Sequence, residues 1–169
     1  MLPEPLHPVV VHFPIVLVVL LPLFALGALW AIRRGVAPLR AWAIPVAVAA
    51  GLAASSFVAV QTGDSEEDRV ERVVPENALH EHEEAGERFL VLSGVLLLVS
   101  GVGLAGGTLG RAARLLTTAG SIALIAAGVQ VGAAGGDLVY RHNAGSAYTS
   151  AGAQAEAGTP ERTTHDSDD

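Results

Sequence analysis

Four apolar runs, each about as long as a bilayer is thick, divide the charge of this chain into two unlike groups. Read as spans at about 9–32, 41–60, 89–109 and 115–136, the runs leave Arg33, Arg34, Arg40, Arg111 and Arg114 on one side. All 17 acidic residues and all six histidines fall on the other. A soluble fold has no reason to sort its charges this way. A membrane protein has one, because basic loops are retained in the cytoplasm. The expected fold class is therefore all-α: an integral membrane four-helix bundle with both termini extracytoplasmic.

Composition agrees with that reading. Hydrophobic residues make up 51% of the chain and charged residues only 16%, which suits a bundle in lipid better than a soluble domain. The net charge of −7 is the balance of two faces, one carrying five arginines and the other 17 acids against five arginines. An acidic face of that size repels phosphate, so nucleic-acid binding is excluded as a function. The absence of cysteine removes disulfides, thiolate metal sites, iron–sulfur ligation and covalent c-type haem attachment. No nucleophile–base constellation, phosphate loop or hydrolase motif is present, and whether the chain is an enzyme stays open.

The segment Met1-Leu-Pro-Glu-Pro-Leu-His7 lacks the basic region that opens a signal peptide, so the first span is expected to remain as an anchor. Trp30 stands at an interfacial position ahead of Arg33 and Arg34. Pro22 lies inside the span and is expected to kink it. Residues 64–88 form the one sizeable connection, dominated by Asp and Glu, with Pro75 placed to open a helix that continues into the third span. Residues 1–145 are expected to form the transmembrane domain, and 146–169 a disordered acidic tail.

Counting roughly 30 Å outward from the basic ends puts the outer membrane boundary near Val11, Gln61, Phe89 and Gly135. His12 then lies at the boundary, while His7, His82 and His142 lie roughly 10 Å above it. Imidazole is the commonest metal ligand and also binds haem iron, so His7, His12, His82 and His142 are the candidate metal ligands. Histidine also sits comfortably at an interface without a ligand. His80 and His82 are two apart, so on a helix at most one of them faces inward.

Gly128, Gly132 and Gly136 form a stripe at spacing four. Such a stripe admits either a neighbouring helix or a flat cofactor. Gln130 could bond across helices or line a polar pocket. No charged residue falls at mid-membrane, which argues against a proton-coupled transporter. Asp137 and Arg141 are spaced to pair.

Three strings resemble the domain of unknown function 2231 family of bacterial membrane proteins. They are His7-Pro-Val-Val-Val-His12-Phe-Pro-Ile15, His82-Glu-Glu-Ala-Gly86 and Gly132-Ala-Ala-Gly-Gly-Asp-Leu-Val-Tyr-Arg-His142. The middle string is the weakest, with His80 as an alternative to His82. The resemblance implies a four-helix domain in the bacterial plasma membrane, in a family sometimes joined to Rieske or cytochrome-like modules. It places His7, His12, His82 and His142 at the positions of family histidines. Ala133 and Ala134 stand where some members carry another histidine, and Asn143 where a glycine is expected. The function this implies is binding of haem b or a transition metal in an electron-transfer system. The alternative is a non-catalytic subunit or assembly partner of a redox complex. Membrane lipid, an extracytoplasmic redox protein and a second copy of the chain are the expected partners.

Overall fold

A computed structural model of the chain describes residues 5–149, which are helical apart from short connections and contain no strand. The elements are α1 (His7–Val10), α2 (His12–Arg33), α3 (Pro38–Asp64), α4 (Glu67–Val70), α5 (Glu76–Val102) and α6 (Gly107–Tyr140). Backbone bonds run through the step at Val11, so α1 and α2 act as one rod. With α3, α5 and α6 it makes four helical runs long and apolar enough to cross a membrane.

Large apolar side chains point outward along the spans, among them Leu98 (72% exposed) and Leu116 (64% exposed). In water this surface would be an aggregation liability; in a bilayer it is the lipid-facing surface. The interior is correspondingly narrow. Its centre is Val18, Leu21, Ala49, Leu52, Phe89, Leu96 and Leu124, one or two side chains from each helix.

Lipid tails are as apolar as leucine, so close packing and satisfied polar groups must hold the helices together. Small hydroxyl residues serve both needs. Ser56, Ser93, Thr117 and Thr118 are buried, and each donates to a carbonyl four residues back on its own helix. No hydroxyl among these is left to seek a partner in hydrocarbon.

The antiparallel pair α5 and α6 has a clear register. Phe89 packs on Gly128, Leu96 on Gly120 and His82 on Gly135, while Arg114 donates to the Gly103 carbonyl at 2.9 Å. This register corrects the third and fourth spans as read from the sequence. The third was expected to reach residue 109, with Arg111 and Arg114 in a loop before a fourth span from 115. Instead α5 ends at Val102, the turn occupies 103–106, and both arginines lie in the opening turns of α6. Arg114 is buried (6% exposed) and closes the C-terminal end of α5, where a cation suits the exposed carbonyls. Trp42, fully buried, holds the same end by donating to Ser100 O at 3.0 Å.

The turn leaves no room for a side chain at Gly110, where a Cβ would stand 1.8 Å from the Ala105 carbonyl oxygen. Backbone, not a flexible side chain, blocks the space. Gly110→Ala should therefore destabilise the folded protein in detergent by about 1–3 kcal/mol or more. Unfolding at the wild-type temperature would contradict this packing.

At the opposite end Val74, Leu79, Leu138 and Ala144 form a small separate core that binds the acidic connection to the end of α6. Residues 146–149, expected to belong to the disordered tail, form a helical turn and include the buried Ala147. The rest of that tail, 150–169, lies outside the described residues. Asn143 has φ 57°, the left-handed conformation that asparagine accepts more readily than other side-chain-bearing residues. Its place in a position expected to be glycine is thereby explained.

Candidate functional site

The first helical rod opens at the acidic end of the bundle, and its first free N–H groups need an acceptor. Glu66, in the connection after α3, supplies it. One carboxylate oxygen accepts from Leu6 N at 2.8 Å and His7 N at 3.2 Å. The other accepts from the Tyr148 hydroxyl. The Arg69 guanidinium lies over the Tyr148 ring, 5.5 Å from its centroid. Burial, with the Glu66 carboxylate behind it, pushes the Tyr148 phenol well above its ordinary value, so it remains a proton donor across the physiological range. Residues near the two ends of the described chain are thus tied to one carboxylate.

This clamp fixes where His7 projects. Its Nδ1 lies 2.9 Å from the Ala59 carbonyl and 3.3 Å from Thr62 Oγ1, both on α3. A carbonyl can only accept, so Nδ1 carries a proton, which leaves Nε2 as the one ring nitrogen able to offer a lone pair. Gly63 gives the ring its space, since a Cβ there would stand 3.3 Å from His7 Cε1.

His82 approaches from α5. Its ring lies against Gly135 of α6, where a Cβ would stand 3.0 Å from His82 Cε1, and it also faces the Val131 carbonyl. The His82 Nδ1 atom is buried and has no hydrogen-bond partner. The two imidazoles meet edge to face, with ring centroids 6.1 Å apart and planes at 87°. All four helical runs and two glycine contacts, at Gly63 and Gly135, therefore converge on a single pair of rings.

His82 also lies lower by helix counting than the sequence suggests. From Val102, where α5 turns, to His82 is about 30 Å of helix, one hydrocarbon thickness. His82 is level with Gly135, so the same count from the corrected turn puts it near the boundary instead of roughly 10 Å above it. The seven residues by which the third span was overextended account for the whole difference.

The other candidates do not join this pair. His12 is exposed, about a turn and a half along the rod from His7 toward the arginine end. His80 is exposed on the far side of α5. His142 is half-buried in the turn after α6, beside Ala144 and its small core. Among the described residues no group of three or more histidine, aspartate or glutamate side chains is arranged to hold a metal ion.

The glycine stripe also divides. Gly128 packs against Phe89, whereas a Cβ at Gly132 or Gly136 would meet nothing within 4 Å. A step of four residues turns a helix 40° past a full circle, so the stripe drifts off the packed face. The face that meets the bundle runs through Leu124, Gly128, Val131, Gly135 and Leu138. Gln130 is exposed, so it neither bonds across the helices nor lines a pocket beneath the histidines. Asp137 and Arg141 do pair, at 3.3 Å, but both are largely solvated and the pair adds little.

Glu66, Thr62, Tyr148 and Gly135 went unnoticed in the sequence. Glu66 is one acid within a run of acids, and Tyr148 is 82 residues away from it. Gly135 could have been found by following the packed face at spacing seven from Gly128 instead of four.

A family model described as "Predicted membrane protein (DUF2231)" matches residues 3–148. No curated protein and no solved structure matches the chain. The matched stretch takes in all four spans and every residue of the histidine pair and its clamp, and the chain belongs to the DUF2231 family of predicted membrane proteins.

Proposed function

We propose that this membrane protein binds a transition-metal ion through His7 and His82 at the acidic end of the bundle. One observation carries the proposal: two imidazoles from different helices meet there, one with its Nδ1–H anchored on the Ala59 carbonyl, the other with a buried, partnerless Nδ1. Anchoring one ring nitrogen on a carbonyl is how ligating histidines are usually oriented. Two imidazoles that share an ion at about 2.0–2.1 Å have ring centroids roughly 5–6.5 Å apart. The 6.1 Å separation fits that range. Further ligands would come from solvent or a partner protein. A bound ion would supply Lewis-acid or one-electron chemistry at the membrane surface.

The arrangement suits an ion better than haem. The glycine surface that would admit a macrocycle does not adjoin the pair: Gly135 is filled by the His82 ring, and Gly132 and Gly136 lie off the packed face. The electron-transfer setting rests on the family resemblance and not on any residue of the site. A second reading, a non-catalytic partner of a redox complex, is favoured by the exposed acids Glu81, Glu84 and Glu87 beside an incomplete ligand set. Charge reversal at those acids would then disrupt assembly, while His7→Ala and His82→Ala would be tolerated. Titration of the purified protein with cobalt(II) or zinc(II) separates the two readings, and a reduced-minus-oxidised optical spectrum tests for haem.

In this reading the arginine end is cytoplasmic and the histidine pair faces outward. A reporter fused after residue 169 should be active only if it folds outside the cytoplasm. An expressed but inactive fusion would invert the assignment.

A further inference from the structure

At the arginine end, away from the histidines, α2 and α3 leave a groove of about 350 Å³ open to the lipid side. Its walls include Leu23, Phe24, Gly27, Val36 and Ile44, and Arg40 is its one charged lining residue. A Cβ at Gly27 would meet nothing within 4 Å, so the glycine opens the groove instead of packing a helix against it. The volume lies at the lower end of the range for small-ligand sites, roughly 300–1,000 Å³.

Charge says what fits. Arg33, Arg34, Arg40 and Arg111 are exposed at this end, and every acid of the described residues lies at the other. Arg114 is committed to the Gly103 carbonyl, and Arg34 lies over the Trp30 ring. Arg40 lies in the first turn of α3, at the charged end of a helix long enough to span a bilayer, and it lines the groove together with apolar walls. A guanidinium binds phosphate in two-point fashion, and the slot below it excludes anything polar. We infer that the groove holds one anionic phospholipid, its phosphate on Arg40 and an acyl chain along Gly27. This site is independent of the histidine pair.

The test is native mass spectrometry of the full chain, delipidated and then equilibrated with equal phosphatidylglycerol and phosphatidylcholine. Wild type should retain phosphatidylglycerol about fivefold over phosphatidylcholine, the ratio one basic residue supplies near a membrane surface. Arg40→Gln should bring the ratio to about one, and Arg111→Gln should leave it unchanged. Gly27→Leu, which fills the open space, should lose retained lipid of both kinds. Equal retention of the two lipids by wild type would overturn the site, as would an equal loss in Arg111→Gln and Arg40→Gln. So would displacement by inorganic phosphate, which would mark a simple anion site. Should Gly27→Leu not fold, the two arginine variants still decide the matter.

Discussion

Trp42→Ala should be the most destabilising single truncation in the bundle. Trp42 is fully buried at the arginine end, packed with Ala25, Ala28 and Ala41, and its Nε1 donates to Ser100 O. The fully buried neighbours are alanines, and the larger Leu29, Ile32, Val46 and Leu104 pack only at the margin of the cluster, so collapse can refill only part of the space. A buried tryptophan cut to alanine costs about 3–5 kcal/mol in water-soluble cores. Lipid lowers the transfer part of that cost, because the lipid-exposed reference is also apolar, but the lost packing remains. The expected loss is therefore in the lower part of that range. Trp42→Phe keeps most of the volume and removes one hydrogen bond, for about 1 kcal/mol. Ser100 O also accepts from Gly103 N, so it would not be orphaned. Thermal unfolding in detergent should rank wild type, Trp42→Phe and Trp42→Ala in that order, with the larger step at alanine. Equal melting of all three would mean that the turn at 103–106 is held by Arg114 alone.

The membrane architecture could be read from the chain because hydrocarbon thickness sets a minimum length that each apolar run meets. The sorting of charge marked the two ends for the same reason. The turn between α5 and α6 could not be read in this way. Gly101-Val-Gly-Leu-Ala-Gly-Gly107 carries no charge, so hydropathy continues through it to Leu109. What stops α5 at Val102 is tertiary: Arg114 on the Gly103 carbonyl and Trp42 on Ser100 O, neither of them in the turn. That one misplaced boundary then set His82 too high.

The histidine site was only half legible for a related reason. Residue type singled out the right end of the bundle, and spacing said that His80 and His82 face different sides. Which histidines meet depends on the clamp at Glu66, built from contacts spanning 60 and 82 residues. No local pattern reveals such pairings. His12, one turn and a half along the same rod as His7, looks equivalent in the sequence but faces outward.

Loss of ion binding is the larger functional effect expected of any single change. His7→Ala and His82→Ala each remove one of the two ligands that converge among the described residues, and the remaining imidazole cannot hold an ion alone. The loss should exceed the 10–100-fold typical of a supporting residue. His12→Ala, His80→Ala and His142→Ala should be silent, because none of those rings meets the pair. Glycine contacts at Gly63 and Gly135 leave the rings room, so truncating either histidine opens space without a clash. The folded state should survive both changes.

The deciding measurement is a cobalt(II) titration of the purified wild-type protein beside His82→Ala, followed by absorption spectroscopy with thermal unfolding as the check on folding. A metal site predicts one ion per chain, nitrogen-ligand bands in wild type, and their disappearance in a folded His82→Ala. Folded wild type that takes up no ion, or a variant that binds as tightly as wild type, would contradict it and leave the protein-partner reading in its place.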